Sequence, residues 1–218
     1  MVRRAADGVP TDQSDFVAVY ESAVRAYLRA RWHGTSNAAR VDDAAQDVFV
    51  DCFREGGALL RADPTRPGGF RAFLYGVVRI VALRHEREAA RNGRCAPAAA
   101  GPPLDAVPGD DPGLSTAFDR AWAQSLIREA AVRHRDRAAE AGPSAVRRVE
   151  LLRLRFQDDV PIREIARRWD EDPARLHHEY ARAREEFRSA LFEVVAADHP
   201  GSPEEVEAEA RRLLAILG

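Results

Sequence analysis

The side chains best suited to engaging another molecule lie in residues 173–191, PARLHHEYARAREEFRSAL: Arg175, His177, His178, Arg182 and Arg184. At helical spacing they fall away from Leu176, Tyr180, Ala183, Phe187 and Leu191, which make the apolar face. Arginine grips guanine through two donors and histidine donates to base or phosphate acceptors, so such a face suits the major groove of DNA. Glu179, Glu185 and Glu186 dilute its positive charge. Adjacent His177 and His178 lack the i, i+4 spacing of helical metal ligands, and no zinc site is expected.

A short helix must hold that face in place. Pro161 stands at its expected first position, where a missing N–H costs nothing, and Ile162, Ile165, Ala166 and Trp169 form its inner side. Asp172 then caps a second helix that opens on Pro173. A short helix, a three-residue turn and a longer helix are the plan of a helix-turn-helix DNA reader, and they also suit an ordinary helical hairpin.

Two earlier segments carry chemistry of their own. In residues 41–53, VDDAAQDVFVDCF, a polar face of Asp43, Gln46 and Asp47 opposes Val48, Phe49 and Cys52. It is either solvated surface or a docking face for a basic partner. In residues 69–91, Arg84, Arg87 and Arg91 recur at i, i+3 and i+7, with Arg71, Tyr75 and Arg79 offset along the helix. Arginines beside aromatics hold phosphates and stack on unpaired bases, the chemistry of single-strand binding. The plainer reading is an outer face with local partners in Glu86 and Glu88.

Helical periodicity runs through the chain and no strand-like alternation persists, so the fold expected is all-α. Helices are expected at about 15–32, from Asp42 or Asp43 to Arg54, and over 70–91, 119–140 and 144–157, followed by the pair above. Their inner faces are Phe16, Val19, Tyr20, Val24, Tyr27 and Leu28, then Val48, Phe49, Cys52 and Phe53, then Phe70, Phe73, Leu74, Val77, Val78 and Val81. Residues 1–14 are expected to form a disordered tail and 92–118, rich in Pro, Gly and Ala, a flexible linker. That divides the chain into two small helical domains, 15–91 and 119–195, and an extension, 196–218. In the extension Ser202, Pro203 and the following glutamates start a short amphipathic helix. It is expected to pack on its own domain; the sharper alternative is a regulatory element that masks the DNA-reading helix or docks a partner.

Net charge is only −2 over 218 residues, and every one of the 33 Lys or Arg positions is arginine, so arginine abundance alone argues little. The two domains carry +2 and +1, the linker −2 and residues 198–218 −3. Cys52 and Cys95 lack metal-ligand spacing and fit two unpaired thiols in a reducing, cytoplasmic setting. No apolar run is long enough to span a membrane. Phosphate loops, nucleophile elbows and HExxH are absent, so neither enzyme chemistry nor a cofactor is expected.

In their order, these segments resemble the bacterial RNA polymerase sigma factors of the extracytoplasmic-function group. Asp43, Gln46, Asp47 and Phe49 are similar to that family's D-x-x-Q-[DE]-x-F helix; Phe70, Arg71, Ala72, Phe73, Leu74, Tyr75 and Arg79 to its F-R-A-W-L-Y-x-x-x-R helix. Residues 161–188 resemble its helix-turn-helix through Ile165, Ala166, Leu176, Arg182, Ala183 and Arg184. The resemblance implies that Asp43, Gln46, Asp47 and Phe49 bind the clamp of the largest subunit of core RNA polymerase. It implies that Arg71, Tyr75, Arg79, Arg84 and Arg87 read and melt the minus-ten element of promoter DNA. Arg175, His177, His178, Arg182 and Arg184 would read the minus-thirty-five element, and an anti-sigma factor or other regulator is a further partner the family suggests. The chain departs from the family pattern at Ile80, Arg84, Asp170, Glu171 and Glu179. Two alternatives are an autonomous helix-turn-helix regulator and a degenerate sigma-like adaptor that does not melt DNA.

Overall fold

A computed structural model describes residues 10–63, 68–92, 112–198 and 202–217. It is all-helical, with no strand among those residues. The helices are α1 (Pro10–Arg31), α2 (Val41–Phe53), α3 (Gly69–Asn92), α4 (Pro112–Ala141), α5 (Pro143–Phe156), α6 (Ile162–Trp169), α7 (Pro173–Asp198) and α8 (Pro203–Leu217). No helix among the described residues is long and apolar enough to cross a membrane.

The chain divides into two compact units, Met1–Ser125 with Ala196–Gly218, and Leu126–Val195. In the first, the expected inner face of α1 is buried throughout, from Phe16 to Leu28. Phe16 meets Tyr20, Phe53 and Phe70 edge-on at ring centroid distances of 4.7, 5.3 and 5.6 Å, the offset geometry that aromatic quadrupoles prefer. Gly56 takes φ +66° where α2 stops, and a Cβ on Gly57 would come within 2.5 Å of the Arg54 carbonyl oxygen. Only glycine closes so tight a turn. Burial beside Asp51 pushes the Cys52 thiol up to about 12, so it is an inert core thiol; Cys95 lies outside the described residues.

Several boundaries differ from the sequence expectation. α1 begins at Pro10, so the tail expected over 1–14 is helical from there, and residues 1–9 lie outside the described ones. α4 begins at Pro112, seven residues before the expected start at 119: its first turn is closed by Ser115 and Thr116 hydroxyls that donate to the Pro112 carbonyl at 3.0 and 2.9 Å, and Phe118 is buried one turn before Trp122. The rest of the expected linker, 93–111, lies outside the described residues. α8 groups with the first unit and not with the adjoining one; Val206, Ala210 and Leu213 are its buried stripe. Its start is a reciprocal capping box: Ser202 N–H donates to Glu205 Oε2 at 2.7 Å, and Glu205 N–H to Ser202 Oγ at 3.3 Å.

Candidate functional site

In the second unit α6 and α7 are joined by residues 170–172, the three-residue turn expected. Asp170 is left-handed at φ +53°, a conformation aspartate tolerates better than most residues, and Glu171 N–H reaches the Ala166 carbonyl at 3.0 Å. Asp172 caps α7 through its carboxylate, which accepts from Ala174 N–H at 3.1 Å. Pro161 precedes the first helical residue instead of occupying it: it is extended at ψ 143°, and its carbonyl accepts from Glu164 and Ile165. Leu151, Ile162, Ile165, Ala166 and Leu176 form the core beneath the pair. Arg147 of α5 secures the turn from outside, 2.9 Å from Glu171 and with its guanidinium 4.6 Å from the Trp169 ring centre. Glu171 thus has a structural partner that the sequence pattern did not disclose.

On α7, Arg175, His177, His178, Arg182 and Arg184 are all exposed, while Leu176 and Ala183 point into the core. Arg182 is also within 3.2 Å of Glu186, and Arg184 lies over Tyr180 at 5.9 Å. Glu179 and Glu186 leave this arc and turn to Arg148 of α5, whose side chain is only 9% exposed. Two guanidinium nitrogens of Arg148 donate to Glu186 at 2.8 and 2.9 Å, which raises the guanidinium further above its ordinary range. Burial opposes ionisation of Glu186, but Arg148 and Arg182 outweigh it and hold the carboxyl below the usual carboxylate range.

His134 of α4 lies 3.7 Å from Glu186, beyond hydrogen-bond distance, and burial lowers it below its ordinary 6.5. An unfolded chain therefore binds a proton that folded His134 refuses, so stability is complete above the ordinary value and falls as pH drops through it. Glu186 contributes in the same direction at lower pH, since its stabilisation is present above the ordinary 4.5 and lost as it protonates. The urea midpoint of the second unit should fall on going from about pH 7.5 to 5, and His134→Phe should flatten that fall. A flat wild-type profile would show that His134 does not report on folding.

In the first unit, α1 and α2 bound an open groove whose lining includes Val17, Arg25, Asp43, Gln46, Phe49 and Val50. Asp43 and Gln46 are exposed, as is Val50 at 53%. The other two residues of the expected polymerase-binding set are differently placed. Phe49 lines the groove but is a core residue, 8% exposed and 6.2 Å from the Phe16 ring. Asp47 turns to α3, where its carboxylate lies 2.8 Å from His85 Nε2 and 3.4 Å from Arg84.

Arg84 also donates to Asp51 at 2.9 Å, so it joins α2 to α3 where an open contact was expected. Arg71 pairs with Asp119 of α4. Tyr75 is half-buried between Tyr27 and Phe118, with Arg79 5.9 Å from its ring centre. Arg87 is the one member of this expected set that is exposed. Glu86, expected to pair locally, instead accepts from Arg31 at 2.6 Å and from Trp32 Nε1 at 2.8 Å, fastening α1 to α3. Among the described residues no group of His, Cys, Asp or Glu could hold a metal ion. Comparison with family models, with curated proteins and with solved structures finds no match to this chain.

Proposed function

We propose that the chain is a promoter-specificity subunit, a sigma factor that brings RNA polymerase to particular promoters. The observation that carries this reading is α7. Five cationic or imidazole side chains stand exposed on a helix that a packed core and a capped, left-handed turn hold in fixed orientation. The α1–α2 groove, with Asp43 and Gln46 beside the apolar Val50, supports it as a seat for a basic partner surface of the polymerase. Two weak binding regions on one chain suffice, because once one is bound the second binding event becomes intramolecular. No bond chemistry is involved; strand opening comes from capture of unstacked bases.

A specific observation favours a second reading, an adaptor that binds polymerase or a regulator without melting DNA. Arg71 and Tyr75, the residues suited to unpaired bases, are engaged by Asp119 and Phe118. Mixing the protein with core polymerase and genomic fragments, then mapping run-off transcripts, separates the two. Discrete new starts are expected from a promoter subunit, and polymerase binding without starts from an adaptor. Footprints without polymerase point to an autonomous regulator. Arg182→Ala should weaken upstream-element binding by about 1–3 kcal/mol, and unchanged binding at matched salt removes Arg182 from the reading face.

A further inference from the structure

The first part of α4 lies against the face of α3 that carries Arg71 and Tyr75. Fully buried Phe118 meets the Tyr75 ring edge-on at 5.2 Å, and the next residue, Asp119, pairs with Arg71. One turn further, Trp122 stacks on Tyr20 at 4.7 Å with 24° between the rings. Finally, the hydroxyl of Ser125 meets that of Ser22 at 2.7 Å. An aromatic ring on a tyrosine and an anion on a neighbouring arginine are the two contacts a nucleotide makes, base to ring and phosphate to guanidinium.

We propose that residues 112–125 are a displaceable cover that occupies the strand-binding face of α3 by imitating a nucleotide. The inference rests on α3 being the helix that holds unpaired bases. Two observations mark the cover as replaceable. Asp119 leaves Arg71 incompletely served, since the buried Nε of Arg71 has no acceptor among the described residues. A phosphate, with several oxygens, meets the guanidinium fork at two points. Second, the sequence joining α3 to the cover, residues 93–111, is rich in Pro, Gly and Ala with few large apolar side chains, the composition of a linker. The cover is then held by its own contacts. While it is closed, the apparent affinity for single strands falls by the fraction open, about a hundredfold for a cover open about 1% of the time.

A lock and a release test this in the full-length chain. Ser22→Cys with Ser125→Cys, in a Cys95→Ser background, places two thiols where the hydroxyls now touch, and oxidation joins α4 to α1. The oxidised protein should lose binding to a short mixed-sequence single-stranded DNA, and reduction should restore it. Asp119→Ala, which leaves Phe118 and Trp122 in place, should tighten the same binding about tenfold. Its helical content and melting curve verify that it remains folded. Equal binding by oxidised and reduced forms, no tightening in Asp119→Ala, or no single-strand binding by any form overturns the cover. The same samples with core polymerase keep the two readings apart. Discrete starts unaffected by the lock leave the promoter subunit and remove the cover; a lock effect on single strands without any starts does the reverse.

Discussion

Replacing Glu186 with alanine is expected to destabilise the second unit by about 3–5 kcal/mol, because it leaves the Arg148 cation buried without its principal partner. Both oxygens of Glu186 accept from Arg148, whose other carboxylate, Glu179, is no nearer than 3.5 Å. Glu179 cannot take over without moving toward α5. The loss should appear as a lower urea midpoint and as faster hydrogen exchange in α5 and α7. Replacing the pair together, Arg148→Met with Glu186→Leu, should recover most of the stability, since a buried ion pair and a well-packed apolar pair of similar volume are nearly equivalent. A Glu186→Ala protein within about 1 kcal/mol of wild type would mean that Arg148 reaches solvent or another partner at little cost.

Glu86→Ala should cost the first unit about 2–4 kcal/mol. Trp32 is 1% exposed, and its indole N–H donates to Glu86, so the variant strands a buried donor. Arg31 loses two hydrogen bonds, at 2.6 and 3.1 Å, from the pairing that raises its guanidinium further above its ordinary range. Glu86→Gln retains an acceptor for the indole and removes the charge, so it should lose roughly half as much. Equal losses in the two variants would place the whole effect in the ion pair. Intrinsic tryptophan fluorescence follows the change, and a denaturant titration gives its size.

Local devices were legible in the sequence and distant pairings were not. Asp172–Pro173 and Ser202–Pro203 start helices where expected, because a cap and a preset φ act within one turn of chain. Asp111–Pro112 has the same form, but the Pro- and Gly-rich composition around it suggested a linker through 118. Spacing of Phe118 and Trp122 was the signal that the helix began earlier. The inner faces of α1 and α3 were legible from periodicity, apart from Phe73, which is only half-buried. Charged side chains were the least legible. Arg84, Asp47 and Glu86 looked like candidates for solvent or ligand, yet each reaches a partner more than 30 residues away, as does Arg148. Nothing local in a sequence distinguishes an arginine that will meet a distant carboxylate from one left for a ligand. On α7 the expectation was simpler, since an exposed arc opposite a buried stripe follows from helical spacing alone.

The arrangement of the two units has a consequence for how the chain is made. Residues 126–195 are contiguous, whereas the first unit receives its last helix, α8, only after the whole of the second has been synthesised. At ordinary ribosomal speed the stretch from 126 to 217 takes roughly 5–20 s to emerge. From residue 195 onward the later-born unit has all of its own sequence, while the earlier-born one still lacks the stripe of Val206, Ala210 and Leu213. Order of birth and order of completion are therefore reversed. Premature release of the nascent chain between 196 and 202 would leave the first unit, and not the second, with an apolar surface uncovered.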